Sequence, residues 1–474
     1  MRLFFCTILY LVQVIRASQT INTSEDYEAL SLSFTNRTLW NIISSCVLTL
    51  FACIYSTVHP NIPSPEDSPV SIIWRRLGMM IMVLFYPELI IAWAMGQWLS
   101  ARQVTKKFKK SGHFGVEAPA EQYELEDRDG TRLLEPHAEV AASAVHSTPV
   151  STSGYGLTRA LAKPFKTLWK AYFSKQFEDY EWTQTHSFFV LMGGFMLYDV
   201  DGKPYSTIQP GQLLRLIDEG CIDAPIITAN QIRDKSKGNV ISKGTLMLQV
   251  GWFVMQLITR AVYHLDTTEF EIATLAFAVL NFLTYPMWWN KPLDVQCPYP
   301  VYWKSTTSVP SDYFNEYEEF EESFPMILQI ILTFLLSPVE MLGAPDINGS
   351  PSSRMLRVRT FGGHIRLEGW YEYVPFVAAF LMATIFGGVH CIAWYFTFPT
   401  STDRALWRIS AIAITGTPIA GALFGYLMGP FIVFCVLSYV SGRVILLVLM
   451  FTTIRDFPPG AYLAVSWTSI VPHL

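Results

Sequence analysis

The sequence predicts an all-α membrane protein, a polytopic helical bundle of about eight spans with a small α/β insertion in the cytosol. The 474 residues are 51% hydrophobic and only 15% charged, whereas soluble globular domains carry about 25% charge. Several apolar stretches reach the roughly 20 residues that a helix needs to cross a bilayer, and a helix satisfies its own backbone groups in lipid. The eight stretches are residues 39–58, 77–98, 245–259, 272–289, 324–342, 374–396, 406–428 and 431–453.

The N-terminus has the layout of a secreted or lumenal segment. Residues 1–18 combine a basic residue, a short apolar core and two small residues, which is typical of a signal peptide. Glycosylation sequons at Asn22 and Asn36 follow directly, so residues 19–38 are expected to face the lumen. A third sequon, at Asn348, lies in a loop that we also expect in the lumen, although four arginines there run against the positive-inside rule.

Residues 39–98 hold the first two predicted spans, and the second contains Pro87-Glu88 at mid-membrane depth. Proline removes a backbone hydrogen bond and kinks a helix. A carboxylate at that depth is costly unless it is paired, protonated or hydrated. Glu88 is therefore either a proton or ligand site or a structural partner of another helix.

The membrane topology around residues 77–110 is ambiguous. Five basic residues in ARQVTKKFKK, residues 101–110, predict a cytosolic position. A lumenal N-terminus followed by two crossings would instead place them in the lumen. Either the segment 77–98 is re-entrant at Pro87, or the first apolar segment is retained as a span, or the charge rule fails here. We expect residues 101–244 to be cytosolic.

Residues 99–156 begin with this basic cluster and continue as a disordered linker, because Glu, Ala, Ser, Pro and Gly dominate and no apolar period appears. Residues 157–180 form a basic amphipathic pattern with aromatic residues. This pattern suits a helix on an anionic membrane surface or one packed on the unit that follows.

The rest of the segment 157–244 predicts a small soluble unit. Residues 186–203 resemble a β-hairpin with turns at its glycines. Residues 210–219 and 228–235 favour short helices, the second capped by Thr228.

The six-segment core, residues 245–456, precedes a C-terminal tail of residues 457–474. Ionisable residues inside the predicted spans normally face a bundle interior or a cavity. A Glu88–Arg443 ion pair with His390 nearby would make a buried polar site. The candidates for that site are Glu88, Glu340, His390 and Arg443.

The loop HLDTTEFE favours two interpretations. Oxygen and imidazole groups this close in sequence could hold a cation, and a solvated acidic loop is the commoner outcome. The candidate residues are His264, Asp266, Glu269 and Glu271. No cysteine pair with metal-ligand spacing occurs, so neither a metal centre nor a cofactor is predicted.

Two further patterns concern packing. Tryptophans and tyrosines of residues 287–304 flank Lys291 and Lys304 and predict an interfacial anchor on the cytosolic side. Small residues around Pro418 predict close approach of two helices, with a proline kink where a substrate could sit. They are Gly416, Ala420, Gly421 and Gly425.

Several longer motifs carry a family resemblance. They are HPNIPSPED with WRRLG, PELIIAWAMGQW, THSFFVLMGGFML, WWNKPLDVQCPYPVYWK and the C-terminal RVILLVLMFTTIRDFPPGAYLAVSWTSIVPHL. With these motifs the chain resembles a large group of multi-pass membrane proteins of filamentous fungi. The resemblance implies a fungal source and, for some members, a place in secondary metabolism. It implies no catalytic residues.

Three functions fit the sequence. The first is transport of a small or lipophilic solute through the buried polar residues. The second is an intramembrane terpenoid cyclase or transferase with Glu88 or Glu340 as the acid, and the third is a membrane scaffold or receptor. The expected partners are the bilayer and an unknown small-molecule or lipophilic substrate, in the endoplasmic reticulum or the plasma membrane. The net charge of −5 argues against nucleic acid.

Overall fold

The computed structural model describes residues 34–114, 181–237, 240–304, 355–424 and 429–465. The helices are α1 Leu39–Thr57, α2 Pro69–Phe85, α3 Pro87–Ser111, α4 Gln184–Leu191, α5 Pro210–Asp218, α6 Ala229–Asp234, α7 Val240–Val262, α8 Glu269–Thr284, α9 Val374–His390, α10 Ser401–Phe424 and α11 Gly429–Thr452. The strands are β1 Phe34–Asn36, β2 Phe195–Tyr198, β3 Pro204–Thr207, β4 Tyr299–Tyr302 and β5 Leu463–Val465. The described chain is mostly helical, as predicted.

Several predictions lie outside the described residues. They are the signal peptide 1–18, Asn22, the linker beyond residue 114, the amphipathic helix 157–180, the span 324–342 with Glu340, Asn348, and the tail beyond residue 465.

Three helical segments of the described chain are long and apolar enough to cross a membrane: Leu39–Thr57, Gly369–Tyr395 and Val433–Arg455. The bent pair α2–α3 would make a fourth if it is counted as one span. Eight spans were expected, and the described residues support this smaller number by length and composition.

Large apolar side chains remain exposed along the outer faces of these helices. On α2 they recur at helical spacing, at Ile73, Leu77 and Ile81. On α11 they include Phe434, Leu437 and Val448. Exposed apolar stripes of this length mark a surface that lies against another apolar phase rather than water.

Helix α8 forms the centre of the bundle and is buried along almost its whole length. It packs against α1 and α9. A polar link also joins it to α1: the Asn281 amide donates to the Cys53 carbonyl at 3.1 Å and to the Ser56 hydroxyl. Burial of apolar side chains along a central helix of this kind stabilises the bundle.

Helices α2 and α3 meet at Tyr86 with a bend of 113°. Pro87 has no amide hydrogen, and it pushes the preceding residue out of the helical region. Tyr86 accordingly has φ −135° and ψ 59°. The chain therefore stops one helix and starts another, where a single kinked span was predicted.

Two side-chain contacts position the α2–α3 pair against the segment that follows α8. Arg76 near the start of α2 pairs with Asp294 at 3.3 Å. Gln97 in α3 accepts a hydrogen bond from Trp288 at 3.0 Å. Helices α2 and α3 thus both contact the same segment, residues 288–296. A pair bent in this way is either a broken span or a re-entrant loop.

The bundle has two ends with different contents. The end that we call the Arg37 end carries β1 paired antiparallel with β5, and the loop between α7 and α8. The opposite end, the Lys291 end, carries residues 59–63, 288–296 and 355–368, together with the small sheet.

The small sheet has the order β3-β2-β4, with β2 antiparallel to β3 and parallel to β4. The hairpin turns at Asp201-Gly202, where Gly202 has φ +72°. Residues 186–191 are helical rather than the predicted strand, because Thr183 and His186 form a capping box that starts α4. Helices α5 and α6 confirm the predicted pair, and Thr228 caps the second.

The close helix contacts differ from those predicted. A Cβ atom on Gly416 would meet nothing within 4 Å, and one on Gly421 would touch only Cys435. The close approach instead lies at Gly387, where a Cβ atom would lie 2.7 Å from the backbone nitrogen of Thr415. Helices α9 and α10 therefore cross at Gly387.

Replacing Gly387 with alanine should destabilise the protein by about 1–3 kcal/mol, because α9 and α10 would have to separate. Thermal unfolding of the purified protein in detergent measures this. Gly416→Ala is the matched control, and its gain in helix propensity should leave stability unchanged or raise it by up to about 1 kcal/mol. Equal melting temperatures for the two variants would contradict the assigned crossing point.

Candidate functional site

The break between α2 and α3 leaves backbone carbonyls at the end of α2 without helical partners. Arg443, in the middle of α11, satisfies them: Nη2 donates to the Leu84 carbonyl at 2.6 Å and Nε to the Phe85 carbonyl at 3.3 Å. Its guanidinium also lies 4.0 Å from the centroid of the Phe386 ring. The arginine thus completes the helix end in the bundle interior.

Glu88 occupies the first turn of α3, where a negative charge is favoured by the helix dipole. Its carboxylate accepts a hydrogen bond from the Tyr439 hydroxyl at 2.8 Å. Within the described chain no carboxylate lies within 4.0 Å of the Arg443 guanidinium, so the two charged groups share the break without the direct ion pair that we predicted.

His390 ends α9 beside the same break. Its Nδ1 bonds to the Phe386 carbonyl at 2.8 Å, and its own carbonyl accepts from Trp407. His390 and Arg443 line a cavity of about 20 Å³ with apolar side chains of α2, α8 and α11. Such a cavity holds one or two water-sized groups. The structure therefore brings three of the four predicted polar residues together, and Glu340 is the one outside the described residues.

A second polar cluster surrounds Lys291 at the Lys291 end of the bundle. The side chain is 1% exposed. Its ammonium donates to the His59 carbonyl at 2.7 Å, to Gln97 Oε1 at 2.9 Å and to Asn61 Oδ1 at 3.3 Å. The rings of Trp93 and Trp288 lie 4.8 Å and 5.1 Å away.

All of these Lys291 partners are neutral. Burial lowers the pKa of Lys291 well below its ordinary range. Three hydrogen-bond acceptors and two aromatic faces fit an ammonium group and offset part of that cost. No carboxylate of the described residues pairs with Lys291. The lysine is therefore buried in place of the solvated anchor that we predicted.

The Lys291 partners also hold the loop 359–363. Asn61 donates to the Arg359 carbonyl at 2.9 Å, while Trp93 and Gln97 donate to the Gly362 carbonyl at 3.0 and 2.7 Å. Residue 363 must be glycine, because its φ is +84° and a Cβ atom would lie 2.8 Å from the Leu191 carbonyl. The loop therefore lies at the Lys291 end, opposite Asn36, whereas we expected this region and Asn36 on one side.

Sequence reasoning missed this cluster. Its members come from three motifs, HPNIP, WAMGQW and WWNKP, each with a plausible local explanation as a turn, a span or an anchor. A lysine two positions after a pair of tryptophans was a signal, but it indicated an interface more readily than a buried site.

Two of the four candidate residues of the loop HLDTTEFE have partners elsewhere in the fold, and a third has a structural role in the turn. Glu271 pairs with Arg37 at 2.7 Å and accepts from the Thr268 amide, closing a capping box at the start of α8. The Asp266 carbonyl accepts from Arg260. His264 turns the chain with φ +55°.

Over the part of the chain that the structure describes, no three His, Cys, Asp or Glu side chains are grouped to hold a metal ion. The cation interpretation of the loop HLDTTEFE is therefore not supported. Glu271 instead joins the N-terminal strand β1 to the bundle through its ion pair with Arg37.

The Arg37 end is also held by Arg260. This side chain donates to the carbonyls of Asp266, Leu463 and Gly460. Arg37 adds a bond to the Ala461 carbonyl at 2.6 Å. The sequon residue Asn36 is exposed beside this clamp, and Thr38 caps α1.

Comparison with family models gives one match that covers most of the first two thirds of the chain. The family described as "Family of unknown function (DUF8562)" matches residues 5–135 and 168–307. The chain belongs to this family. The DUF8562 match includes the helix break, Glu88 and the Lys291 cluster, while His390 and Arg443 lie beyond it. No curated protein and no solved structure matches the chain.

Lys291→Met should lower the free energy of unfolding by about 2 kcal/mol or more, because the buried His59 carbonyl, Asn61 Oδ1 and Gln97 Oε1 would each lose a charged donor. Chemical denaturation of the purified protein measures this. Lys304→Met is the matched control: Lys304 pairs with Asp223 at an exposed position, where loss costs less than about 1 kcal/mol. A loss for Lys291→Met as small as that of the control would argue against the buried cluster.

Glu269 predicts a pH dependence. It is 3% exposed and lies at the start of α8, and its burial, with a smaller contribution from Glu271, raises its pKa to about 7. Between pH 4.5 and pH 7 the folded state keeps a proton that the unfolded state has lost, so this residue lowers stability as pH rises through that window. Glu269→Gln should be more stable than wild type at pH 8, by at most about 3 kcal/mol, and equal to it near pH 4.

Glu271→Gln is the control with the opposite sign. Burial acts to raise its pKa, but Arg37 and then Arg260 outweigh it and hold the pKa below its ordinary value. This variant should lose stability at neutral pH, and the loss should disappear in acid. Melting temperatures measured from pH 4 to pH 8 that run in parallel for both variants would refute the assignment.

Proposed function

We propose that this chain is a multi-pass membrane protein that moves a small solute, and that the helix break at Tyr86–Pro87 is the site of the proton or small ion that moves with it. The resemblance to the fungal group favours the endoplasmic reticulum or plasma membrane of a filamentous fungus, within secondary metabolism. The bilayer is the partner of the exposed apolar stripes of α2 and α11.

We infer that the Lys291 end faces the cytosol. A re-entrant α2–α3 pair returns the chain to the end from which it entered, so the basic residues that close α3 lie at the Lys291 end. Lys109 there contacts Glu181 beside α4. Asn36 is then at the opposite, lumenal end, which satisfies the signal peptide and the positive-inside rule together. Of the three topologies that we considered, the re-entrant one is favoured.

The break itself is the observation that supports transport. Interrupted helices within a membrane occur where the backbone is buried in protein or lines a cavity. In secondary transporters their ends form the substrate and ion sites. Here the end of α2 meets Arg443 and the start of α3 carries Glu88. A proton or small ion could change partners between these groups without any large movement.

The size of the adjacent cavity favours movement of a small species over chemistry on a lipophilic one. At about 20 Å³ it holds a water or a small ion. A terpenoid-sized substrate needs a pocket of several hundred Å³. The enzyme and the scaffold or receptor remain the alternatives that the experiment must distinguish.

Metabolites inside cells and in the medium are compared for strains with wild-type protein, without the gene, and with Glu88→Gln. We expect the deletion to shift at least one metabolite between cells and medium while its total amount stays constant. Glu88→Gln should reproduce that shift at an unchanged level of protein in the membrane, because the exchangeable charge at the break is lost.

Glu66→Gln is the matched control, since Glu66 is exposed in the loop before α2, and it should behave like wild type. Loss of a product with accumulation of its precursor would overturn transport and favour the enzyme. Equal loss of folded protein in Glu88→Gln, His390→Ala and Arg443→Leu would assign these residues a structural role only. An unchanged metabolite profile in all strains would favour the scaffold or receptor.

A further inference from the structure

A separate cavity of about 20 Å³ lies at the Lys291 end, remote from the helix break. It is formed by the first half of α2, the Pro-rich turn after α1 and the segment that follows Lys291. The polar residues that line it are Asn61, Arg75, Arg76, Asp294 and Gln296. Two consecutive arginines in one small cavity are a costly arrangement unless something with negative charge meets them.

Both arginines have buried N–H groups that no hydrogen-bond acceptor of the described residues reaches. Arg75 is 6% exposed, and its Nε has no hydrogen-bond partner among the described residues. Arg76 likewise has buried Nε and Nη2 groups without a hydrogen-bond partner in the described chain, while its guanidinium lies 4.3 Å from the centroid of the Tyr55 ring. Charged donors that are buried without an acceptor are destabilising, so three of them in one place point to a ligand that accepts from them.

The charges of the two arginines are balanced, but their donors are not used up. Arg75 pairs with Asp67 at 2.8 Å and Arg76 with Asp294 at 3.3 Å, and each pair occupies only part of a guanidinium. The remaining buried N–H groups point to an acceptor that the described residues do not supply. The acceptor best suited to several guanidinium donors at once is an anion with more than one oxygen.

The position of the cavity restricts the source of that anion. On the same helix as the arginines, Val70, Ile73 and Trp74 are exposed and apolar. Exposed tryptophan is typical of the level of lipid headgroups. An anion in the cavity would thus lie at headgroup level, with room beside α2 for acyl chains, and basic pockets between helices on the cytosolic side bind phosphate-bearing headgroups.

We propose that the Arg75–Arg76 cavity is a phosphate site: it admits one or two oxygens of a phosphate, and the guanidinium groups donate to them. The phosphate is that of an anionic phospholipid or free inorganic phosphate. Guanidinium is the side-chain group best matched to phosphate, because its N–H groups donate in a planar fork. Binding would join α2 to the segment 294–296, and it is independent of whether Glu88 takes part in transport.

The test uses the full-length protein in detergent, with its melting temperature measured against three probes: phosphatidylcholine micelles, the same micelles with phosphatidic acid, and inorganic phosphate. We expect phosphatidic acid to raise the melting temperature over phosphatidylcholine alone, with half-saturation weakened at least tenfold in Arg76→Gln. Arg102→Gln, an exposed basic residue at the same end, should bind as wild type does. A comparable rise with inorganic phosphate would identify free phosphate as the ligand, and a rise with phosphatidic acid alone would identify the lipid.

Asp294→Asn keeps the test decisive if Arg76→Gln fails to fold. This change removes the carboxylate that competes for Arg76, so it should strengthen phosphate or phosphatidic acid binding several-fold, whereas a purely structural pair would only lose stability. The proposal is overturned if neither probe stabilises wild type, if Arg76→Gln and Arg102→Gln bind alike, or if Asp294→Asn binds more weakly than wild type.

Discussion

Backbone groups inside an apolar bundle must find hydrogen-bond partners, and this requirement is hardest to meet at Tyr86–Pro87. The proline ends α2 early and leaves its last carbonyls facing the interior. Arg443 supplies donors from the last helix, and Tyr439 on the same helix supplies a donor to Glu88 at the start of α3. A residue pattern near the N-terminus thus depends on two side chains more than 350 positions away. The position of α11 against the bent pair α2–α3 follows from this constraint.

The two ends of the bundle solve the problem of buried charge differently. At the Arg37 end, arginines meet Glu271 and the carbonyls of the C-terminal segment. At the other end, Lys291 meets only neutral acceptors and indole rings. A buried ion pair is stable only where hydrogen bonds also position its carboxylate. A single buried charge can instead be stabilised by several weaker contacts with amide oxygens and aromatic rings. The Lys291 arrangement also joins three separate chain segments: the turn with His59 and Asn61, helix α3 with Gln97, and the segment of Lys291 itself.

Local patterns predicted local structure well. The helical class, the cap at Thr228, the two short helices after the hairpin and the importance of Pro87 all depend on residues within a few positions of each other. The strand predicted at residues 186–191 failed because a capping box outweighed β-forming side chains. The crossing at Gly387 was missed since several glycines have equal helical spacing, and only the tertiary fold decides which one faces a neighbour.

The site was predicted in part for the same reason. Glu88, His390 and Arg443 were recognisable by their depth in apolar segments, and they do meet around one break. Their partners were not predictable: Arg443 bonds to carbonyls, and no spacing rule relates position 443 to position 84. Lys291, Arg75 and Arg76 lie near the ends of apolar segments, where charged residues are common. Their burial therefore could not be predicted from the sequence.

The pairing of β1 with β5 also has a consequence for biosynthesis. Among the described elements β1 comes first and β5 comes last, and 424 positions separate Arg37 from Ala461. A strand that is synthesised before every described helix therefore waits for a partner that follows α11. The β1–β5 sheet and the bond from Arg37 to the Ala461 carbonyl can form only after all of these helices have been made, and a chain truncated before β5 would lack both.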